Sequence, residues 1–348
     1  AWTYNGTKAT SGGTGATTSL NYRFSIGNLS TWTWTIDFTF DTSGARFVAV
    51  TRNVPQTTCG YFFEVNSATN NLLIYRTSGG NGWDDGGGVV AVDTKATGIS
   101  FATSTTYRMT VAKSYRSASV TITDVATPAN TYTWSWDQED ATVAPTRGFG
   151  YGKPGFFALV GTVSVLNTAF VIPTAQPDWL FIGDSITEGS GCTASSQMYG
   201  RLVAATRVAT LQTSAQGGAS TLHTPKRLAA ELPHIRPRNV AFLLGTNDTV
   251  TADWQSKVGG MRDLLTGLCS GTVIVGAVPA EAADTNPELV MNPYIIAQGW
   301  ATVRHDLALT SPATGLGADR NAALYYDTLH PNASGHAAMA SRFAVDVP

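Results

Sequence analysis

The stretch WLFIGDSITEG, residues 179–189, begins with a continuous run of apolar side chains and ends in small and polar residues. A short apolar run without alternation is typical of a strand that is buried on both faces of a sheet. Similar runs follow at VATLQT (208–213), NVAFLLG (239–245) and TVIVGAV (272–278). In the segments between these runs, apolar residues recur at the spacing of a helix. The spacing in segment 254–268 predicts one apolar helix face, formed by Trp254, Val258, Met261, Leu264, Leu265 and Leu268. Strands that alternate with helices predict a parallel sheet with helices on both faces.

The first half of the chain has a different period. In TWTWTIDFTF, residues 31–40, every second residue is apolar and the residues between them are Thr or Asp. This alternation predicts a half-buried strand. Many short segments of this kind, separated by turn residues, predict an all-β sandwich over residues 1–172, and their rhythm resembles the concanavalin-type jelly roll of laminin-G-like domains. The stiff PTAQP (173–177) is the predicted linker, and residues 178–348 form the predicted second domain.

Composition limits the partners that the protein can have. The chain has 348 residues, 13% of them charged, and a formal net charge of -2. Such a chain has no electrostatic attraction to nucleic acid or to acidic membranes, so neither is expected as a partner. The low charge and the β-rich first half favour a protein that is secreted or displayed on a cell or virion surface. The three cysteines, Cys59, Cys192 and Cys269, cannot all pair with one another. They form either one disulfide and one free thiol or three thiols, and the sequence does not decide between these states.

Small and polar residues stand where the predicted strands end. They are residues 183–185 (GDS), 214–218 (SAQGG) and 245–248 (GTND), and Asp327 with His330 follows the short apolar ALYY. Taken singly, each group has an ordinary explanation such as a helix cap or an Asx turn. In parallel sheets, however, ligands bind outside the carboxyl ends of the strands, so these groups should converge at one edge. This convergence predicts a functional site.

The segments FIGDSITEGSG, GGAST, GTND and DTLHPN together resemble four sequence blocks of the SGNH (GDSL-type) hydrolases over about residues 178–348. The resemblance implies a flavodoxin-like three-layer α/β/α domain that needs no metal or cofactor. It implies that Ser185 is the nucleophile, His330 the general base and Asp327 the acid that orients His330. It also implies an oxyanion hole formed by the backbone N–H groups of Ser185 and Gly218 and the side-chain amide of Asn247.

Elementary chemistry is consistent with these roles. A serine hydroxyl becomes a good nucleophile when a neighbouring imidazole removes its proton during attack. Asp327, three residues before His330, can accept the Nδ1–H of the ring and so leave Nε2 free to face Ser185. Hydrogen-bond donors aimed at the developing oxyanion lower the barrier, and a glycine such as Gly218 allows its N–H a close approach.

Other residues are alternatives for these roles, or are predicted to support the site or to pack elsewhere. Gly217 is an alternative to Gly218, which is preferred because GAST matches the family pattern better. Asp184 and Asp248 are expected to support the site through hydrogen bonds to nearby turns. His223, His234 and His305 have no second ligand residue at a spacing typical of a metal site. His336 is expected to be packed in the last helix of the chain.

Three functions fit the sequence. The favoured one is removal of O-acyl groups from a polysaccharide, with O-acetyl as the favoured group and the β-sandwich as a carbohydrate-binding domain. Trp83, in the Gly-rich GGNGWDDGGG, is a candidate platform for a sugar ring. The tryptophans that alternate along strands are instead predicted to lie in the sandwich core: Trp32, Trp34, Trp134 and Trp136. The alternatives are an esterase or thioesterase for small acyl compounds, with the sandwich as scaffold, and a non-enzymatic glycan-binding surface or virion protein.

Overall fold

A computed structural model describes the following parts of the chain: residues 2–4, 9–11, 20–21, 29–51, 61–77, 89–115, 117–137, 154–172, 176–222, 224–248, 254–280, 290–315 and 319–348. The chain divides into two compact units. The first comprises Ala1–Gly27 and Thr31–Pro173, and the second comprises Asn28–Ser30 and Thr174–Pro348. The predicted linker at 173–177 lies mostly outside the described residues.

The described part of the first unit consists of antiparallel strands in two sheets. The strands are β1 (Trp2–Tyr4), β2 (Ala9–Ser11), β3 (Leu20–Asn21), β4 (Thr31–Phe40), β5 (Arg46–Thr51), β6 (Tyr61–Asn66), β7 (Asn71–Thr77), β8 (Val89–Ala96), β9 (Thr106–Ser114), β10 (Ser117–Asp124), β11 (Thr131–Asp137), β12 (Pro154–Val160) and β13 (Val163–Val171). One sheet has the order β1-β2-β13-β4-β9-β10-β11 and the other β3-β12-β5-β6-β7-β8. The antiparallel, all-β character of this half is as predicted, whereas the jelly-roll connectivity stays a prediction.

Aromatic side chains fill the core of the first unit. Trp32 and Trp34 of β4 are buried, as the alternation of this strand requires. Phe38 of β4 stacks on Phe47 of β5 with ring centroids 4.3 Å apart, so the inner faces of the two sheets meet. Trp134 is buried as well. The side chain of Trp136 and all of Trp83 lie outside the described residues.

The second unit contains a parallel sheet with helices between its strands. Its strands are β14 (Trp179–Gly183), β15 (Leu211–Ala215), β16 (Asn239–Leu243), β17 (Val273–Gly276) and β18 (Thr302–Val303). Its helices are α1 (Ser185–Glu188), α2 (Tyr199–Arg207), α3 (Thr224–Glu231), α4 (Trp254–Thr266), α5 (Asn292–Ala297), α6 (His305–Ala308) and α7 (Ala333–Asp346). The sheet order is β15-β14-β16-β17-β18. Numbered along the domain this is 2-1-3-4-5, the flavodoxin-like order, and its switch point lies between β14 and β16.

The central strand β14 is covered on both faces. Trp179 and Phe181 point to one face, where both rings contact Phe343 of α7 at centroid distances of 5.3 and 5.6 Å. Leu180 and Ile182 alternate with them and are fully buried, so the opposite face is covered as well. The uninterrupted apolar run in WLFIG follows from this double burial. Among the described residues, no helix is both long enough and apolar enough to span a membrane.

Helix α4 differs in part from its predicted apolar face. Four of the six predicted residues are buried, namely Trp254, Val258, Met261 and Leu265, but Leu264 and Leu268 are 41% and 43% exposed. Leu264 is rotated by about 100° from Leu265 around the helix, and Leu268 lies beyond the helix end at Thr266. The buried face of α4 is therefore narrower than the face that the helical spacing of its apolar residues predicted.

Burial of His305 predicts a loss of stability in acid. Burial lowers the pKa of His305 from its ordinary 6.5 to about 3, although the negative charge of Asp346 acts in the opposite direction. Because the unfolded chain binds this proton at a higher pH than the folded chain, the free energy of unfolding decreases as the pH falls below 6.5. Between about pH 7.5 and 5, the wild type should lose roughly 2 kcal/mol more than His305→Gln, which stays neutral. Urea unfolding of both proteins at the two pH values measures this difference, and an equal loss in both would contradict it.

Candidate active site

The serine at residue 185 lies at the carboxyl end of the central strand. Gly183 ends β14, and a Cβ atom there would lie 1.9 Å from Thr187 Oγ1, so the tight turn requires glycine. Asp184 caps the short helix α1, because its Oδ1 accepts the N–H of Ile186 at 2.9 Å. Ser185 is the first residue of α1 and is only 8% exposed. The strand-to-helix turn thus fixes the serine at the edge of the sheet.

His330 and Asp327 meet this serine in one line of hydrogen bonds. His330 Nε2 lies 2.9 Å from Ser185 Oγ. His330 Nδ1 lies 2.8 Å from Asp327 Oδ2. Residues that are 145 positions apart along the chain therefore form a carboxylate–imidazole–hydroxyl arrangement. If Nδ1 carries the proton toward the carboxylate, Nε2 is left as an acceptor for the serine hydroxyl.

Local hydrogen bonds hold the acid and the imidazole in this geometry. Asp327 Oδ1 accepts the backbone N–H groups of Leu329 at 2.8 Å and His330 at 2.6 Å. The N–H of Tyr326 donates to the carbonyl of His330 at 2.8 Å and closes the turn. One oxygen of the Asp327 carboxylate therefore fixes the turn of the loop, and the other oxygen holds the ring of His330.

The element before this loop differs from the prediction. The sequence suggested that ALYY forms a strand end equivalent to the other three, but Ala322–Leu324 is a 3-10 helix and Tyr325 makes an isolated bridge to Pro331. The edge strand β18 (Thr302–Val303) instead completes the sheet. Asp327 and His330 thus reach the sheet edge from a turn that leads into α7.

Asp327 stays ionised at neutral pH. Partial burial acts to raise its pKa, but the hydrogen bonds from the backbone and ring of His330 and from Leu329 outweigh this and hold the pKa below its usual range. The side chain of Asp327 is 41% exposed and that of His330 is 23% exposed. A negative charge therefore faces the imidazole in a part of the site that is open to solvent.

The loop after β15 brings two glycines beside the serine. The N–H of Gly217 donates to Glu188 Oε2 at 2.8 Å. A Cβ atom on Gly217 would lie 3.9 Å from Ser185 Cβ, so this backbone runs close to the serine. Gly218 has a positive φ of 75°, a conformation that favours glycine. Among the described residues, neither Gly218 nor Ser185 has an acceptor for its backbone N–H.

The loop after β16 is hydrogen-bonded to the loop after β15, which contains Gly217 and Gly218. Asn247 Nδ2 donates to the carbonyl of Ala219 at 3.2 Å and to Asp184 Oδ2 at 3.3 Å. Asp248 accepts both the N–H of Thr221, at 3.0 Å, and its hydroxyl, at 2.6 Å. Asn247 and Asp248 therefore join the ends of three segments. The amide of Asn247 makes two long contacts, and its assignment to the oxyanion hole stays a prediction.

Asp184 lies beneath the site without exposure to solvent. Burial raises its pKa to about 6, although the hydrogen bond from the N–H of Ile186 acts in the opposite direction. Its second oxygen accepts from Asn247. Asp184 thus caps α1 with one oxygen and accepts the side-chain amide of Asn247 with the other, and it is not in the line from Asp327 to Ser185.

The remaining candidates lie apart from this arrangement. His336 is buried in α7, where its Nδ1 accepts the N–H of Tyr199 at 3.2 Å. Cys192 and Cys269 form no disulfide within the described part of the chain, and Cys59 lies outside it. The described parts of the chain contain no group of three or more His, Cys, Asp or Glu arranged to hold a metal. Sequence reasoning missed Glu188 and Thr221, which hold the loops, because a contact between distant turns leaves no periodic signal.

Fold and site together define the class of the second unit. Residues 181–338 match the model of the GDSL-like Lipase/Acylhydrolase family, and this part of the chain is a member of that family, an SGNH hydrolase with a parallel sheet. The confirmed family corresponds to the resemblance seen in the four sequence blocks. No curated protein matches the chain.

Solved structures similar to this chain include three hydrolase-type proteins. Axe2, an acetylxylan esterase from Geobacillus stearothermophilus, is 17% identical with a TM-score of 0.39, and the match covers 49% of this chain and 93% of that chain. A member of the lipolytic protein G-D-S-L family from Veillonella parvula is 16% identical with a TM-score of 0.41, covering 48% and 96%. LAE5, an alpha/beta hydrolase enzyme from the metagenome of Lake Arreo in Spain, is 18% identical with a TM-score of 0.38, covering 49% and 94%.

Proposed function

We propose that the protein is a serine esterase that removes O-acetyl groups from a polysaccharide through an acyl-enzyme intermediate. The observation that carries the esterase chemistry is the line of hydrogen bonds from Asp327 through His330 to Ser185. In the first step, Ser185 Oγ attacks the ester carbonyl carbon while its proton moves to His330 Nε2. The imidazolium is stabilised by the ionised Asp327 and returns the proton to the departing sugar oxygen. A water molecule, activated by the same imidazole, then releases acetate and restores Ser185.

The proposed oxyanion hole uses the N–H groups of Ser185 and Gly218, assisted by the Asn247 amide. In its favour, both backbone groups lack acceptors among the described residues, and the N–H of the buried Ser185 is one of the first-turn donors of α1, which have no partner within the helix. The negative charge that develops on the carbonyl oxygen would supply the missing acceptor. Removal of one such donor typically lowers kcat by about 10²–10³-fold.

An exposed aromatic side chain next to Asp327 favours a sugar substrate. Tyr326, directly before Asp327, is 74% exposed. Exposed aromatic rings present an apolar face with a polar edge, which suits the face of a pyranose ring. The first unit is proposed to be a jelly-roll domain that binds the same polysaccharide, with Trp83 as a candidate contact. A secreted or surface location belongs to this proposal, because such a substrate is too large to enter a cell.

A substrate panel tests the proposal. We expect the wild type to release acetate from at least one of several acetylated glycans, such as acetylated xylan, as well as from p-nitrophenyl acetate. Acetate is measured enzymatically, and Ser185→Ala provides the blank for each substrate. Hydrolysis of the small ester alone would contradict the glycan substrate and favour an esterase for small acyl compounds. No hydrolysis of any ester would contradict the esterase itself.

A further inference from the structure

Glu188 lies one helical turn after Ser185, and its carboxylate reaches across to the glycine loop. Its Oε2 accepts the N–H of Gly217 at 2.8 Å, although the two residues are 29 positions apart. A Cβ atom on Gly217 would lie 3.3 Å from this oxygen, so the carboxylate packs directly against the glycine backbone. The contact joins the helix that begins with the serine to the loop that faces it.

The backbone hydrogen bonds of this loop single out one N–H group. Gln216 donates its N–H to the carbonyl of Gly183 at 3.1 Å, and Ala219 donates to the carbonyl of Gln216 at 2.9 Å. Gly217 donates to Glu188. Of the four consecutive N–H groups from 216 to 219, only that of Gly218 has no acceptor among the described residues. Among the described residues, Glu188 therefore supplies the one side-chain acceptor for these four N–H groups, and the acceptors of Gln216 and Ala219 are backbone carbonyls.

We infer that Glu188 is a positioning residue that selects Gly218 as the loop's oxyanion donor. By accepting the N–H of Gly217, the carboxylate occupies the competing donor and fixes the loop beside Ser185, and the N–H of Gly218 is left as the donor without an acceptor among the described residues. The inference rests on the proposed esterase function. It also gives a physical reason for preferring Gly218 over Gly217, in addition to the match of GAST to the family pattern.

The test compares two substitutions at residue 188 with p-nitrophenyl acetate as substrate. Glu188→Ala removes the acceptor, so the loop is no longer held and kcat should fall by about 10- to 100-fold, with KM changed by less than about threefold. Glu188→Gln retains an amide oxygen that can accept the N–H of Gly217, so its kcat should stay within about threefold of wild type. If Glu188→Ala does not fold, Glu188→Leu keeps the side-chain volume without an acceptor and should show the same loss of kcat.

The outcomes separate this inference from the proposed function. If Ser185→Ala is inactive while Glu188→Ala has the kcat of wild type, the role of Glu188 is wrong and the esterase proposal stands. If Glu188→Gln loses as much kcat as Glu188→Ala, the hydrogen bond is not what matters and the inference is likewise overturned. If Ser185→Ala retains activity, the proposed nucleophile fails, whatever the variants at residue 188 do.

Discussion

The Ser185→Ala variant should fold like the wild type and hydrolyse p-nitrophenyl acetate at least about 10⁴-fold more slowly. The hydroxyl is the atom that lies 2.9 Å from His330 Nε2, and without it no acyl-enzyme can form. The residual rate should come from donors that still bind the oxyanion. Because the substitution removes one oxygen from a buried site and introduces no bulk, the unfolding temperature should change little. Initial rates and thermal unfolding of the two proteins measure both expectations.

Ser341→Ala is the matched control for this experiment. Ser341 lies on the exposed side of α7, and its hydroxyl donates only to the carbonyl of Ala337 at 3.0 Å. Its loss should leave the rate at the wild-type value. A Ser185→Ala variant with more than about a tenth of wild-type kcat/KM would rule out the nucleophile.

The Asp327→Asn variant should lower kcat by about 10³- to 10⁴-fold. The side-chain oxygen of Asn can still accept the N–H groups of Leu329 and His330, so the turn is preserved. Its NH₂ group, however, would face His330 Nδ1 and favour the tautomer in which Nε2 carries the proton. A protonated Nε2 cannot accept the proton of Ser185. Steady-state kinetics with p-nitrophenyl acetate measure the loss.

Asp263→Asn provides the comparison for the loss of one carboxylate. The side chain of Asp263 lies on α4 and is 75% exposed. This variant should keep the wild-type kcat. If Asp327→Asn retains kcat within about tenfold of wild type, orientation of the imidazole by Asp327 is not part of the mechanism.

The parts of the fold that depend on periodicity could be predicted from the sequence. The alternation of TWTWTIDFTF places its tryptophans in the core, and the apolar run of WLFIG corresponds to the doubly covered strand β14. Because parallel strands end at the same edge, residues that follow β14 and β16 could be expected to lie together. Ser185 and Asn247 do occupy the loops on either side of the switch point.

The parts that depend on single contacts could not be predicted. The strand β18 has only two residues, too few for any periodic signal. The loop that carries Asp327 and His330 is shaped by hydrogen bonds to one carboxylate, which spacing alone does not distinguish from a strand end. Likewise, the contact of Glu188 with Gly217 links two turns that are unrelated in sequence.

Covalent labelling tests most directly whether residue 185 is the activated nucleophile. The full chain is incubated with diisopropyl fluorophosphate, which phosphorylates activated serines, and the digest is mapped by mass spectrometry. We predict a single adduct on Ser185, formed together with complete loss of esterase activity and much more slowly in Asp327→Asn. An adduct on another residue, or full ester hydrolysis by a protein that takes up no label, would contradict the account.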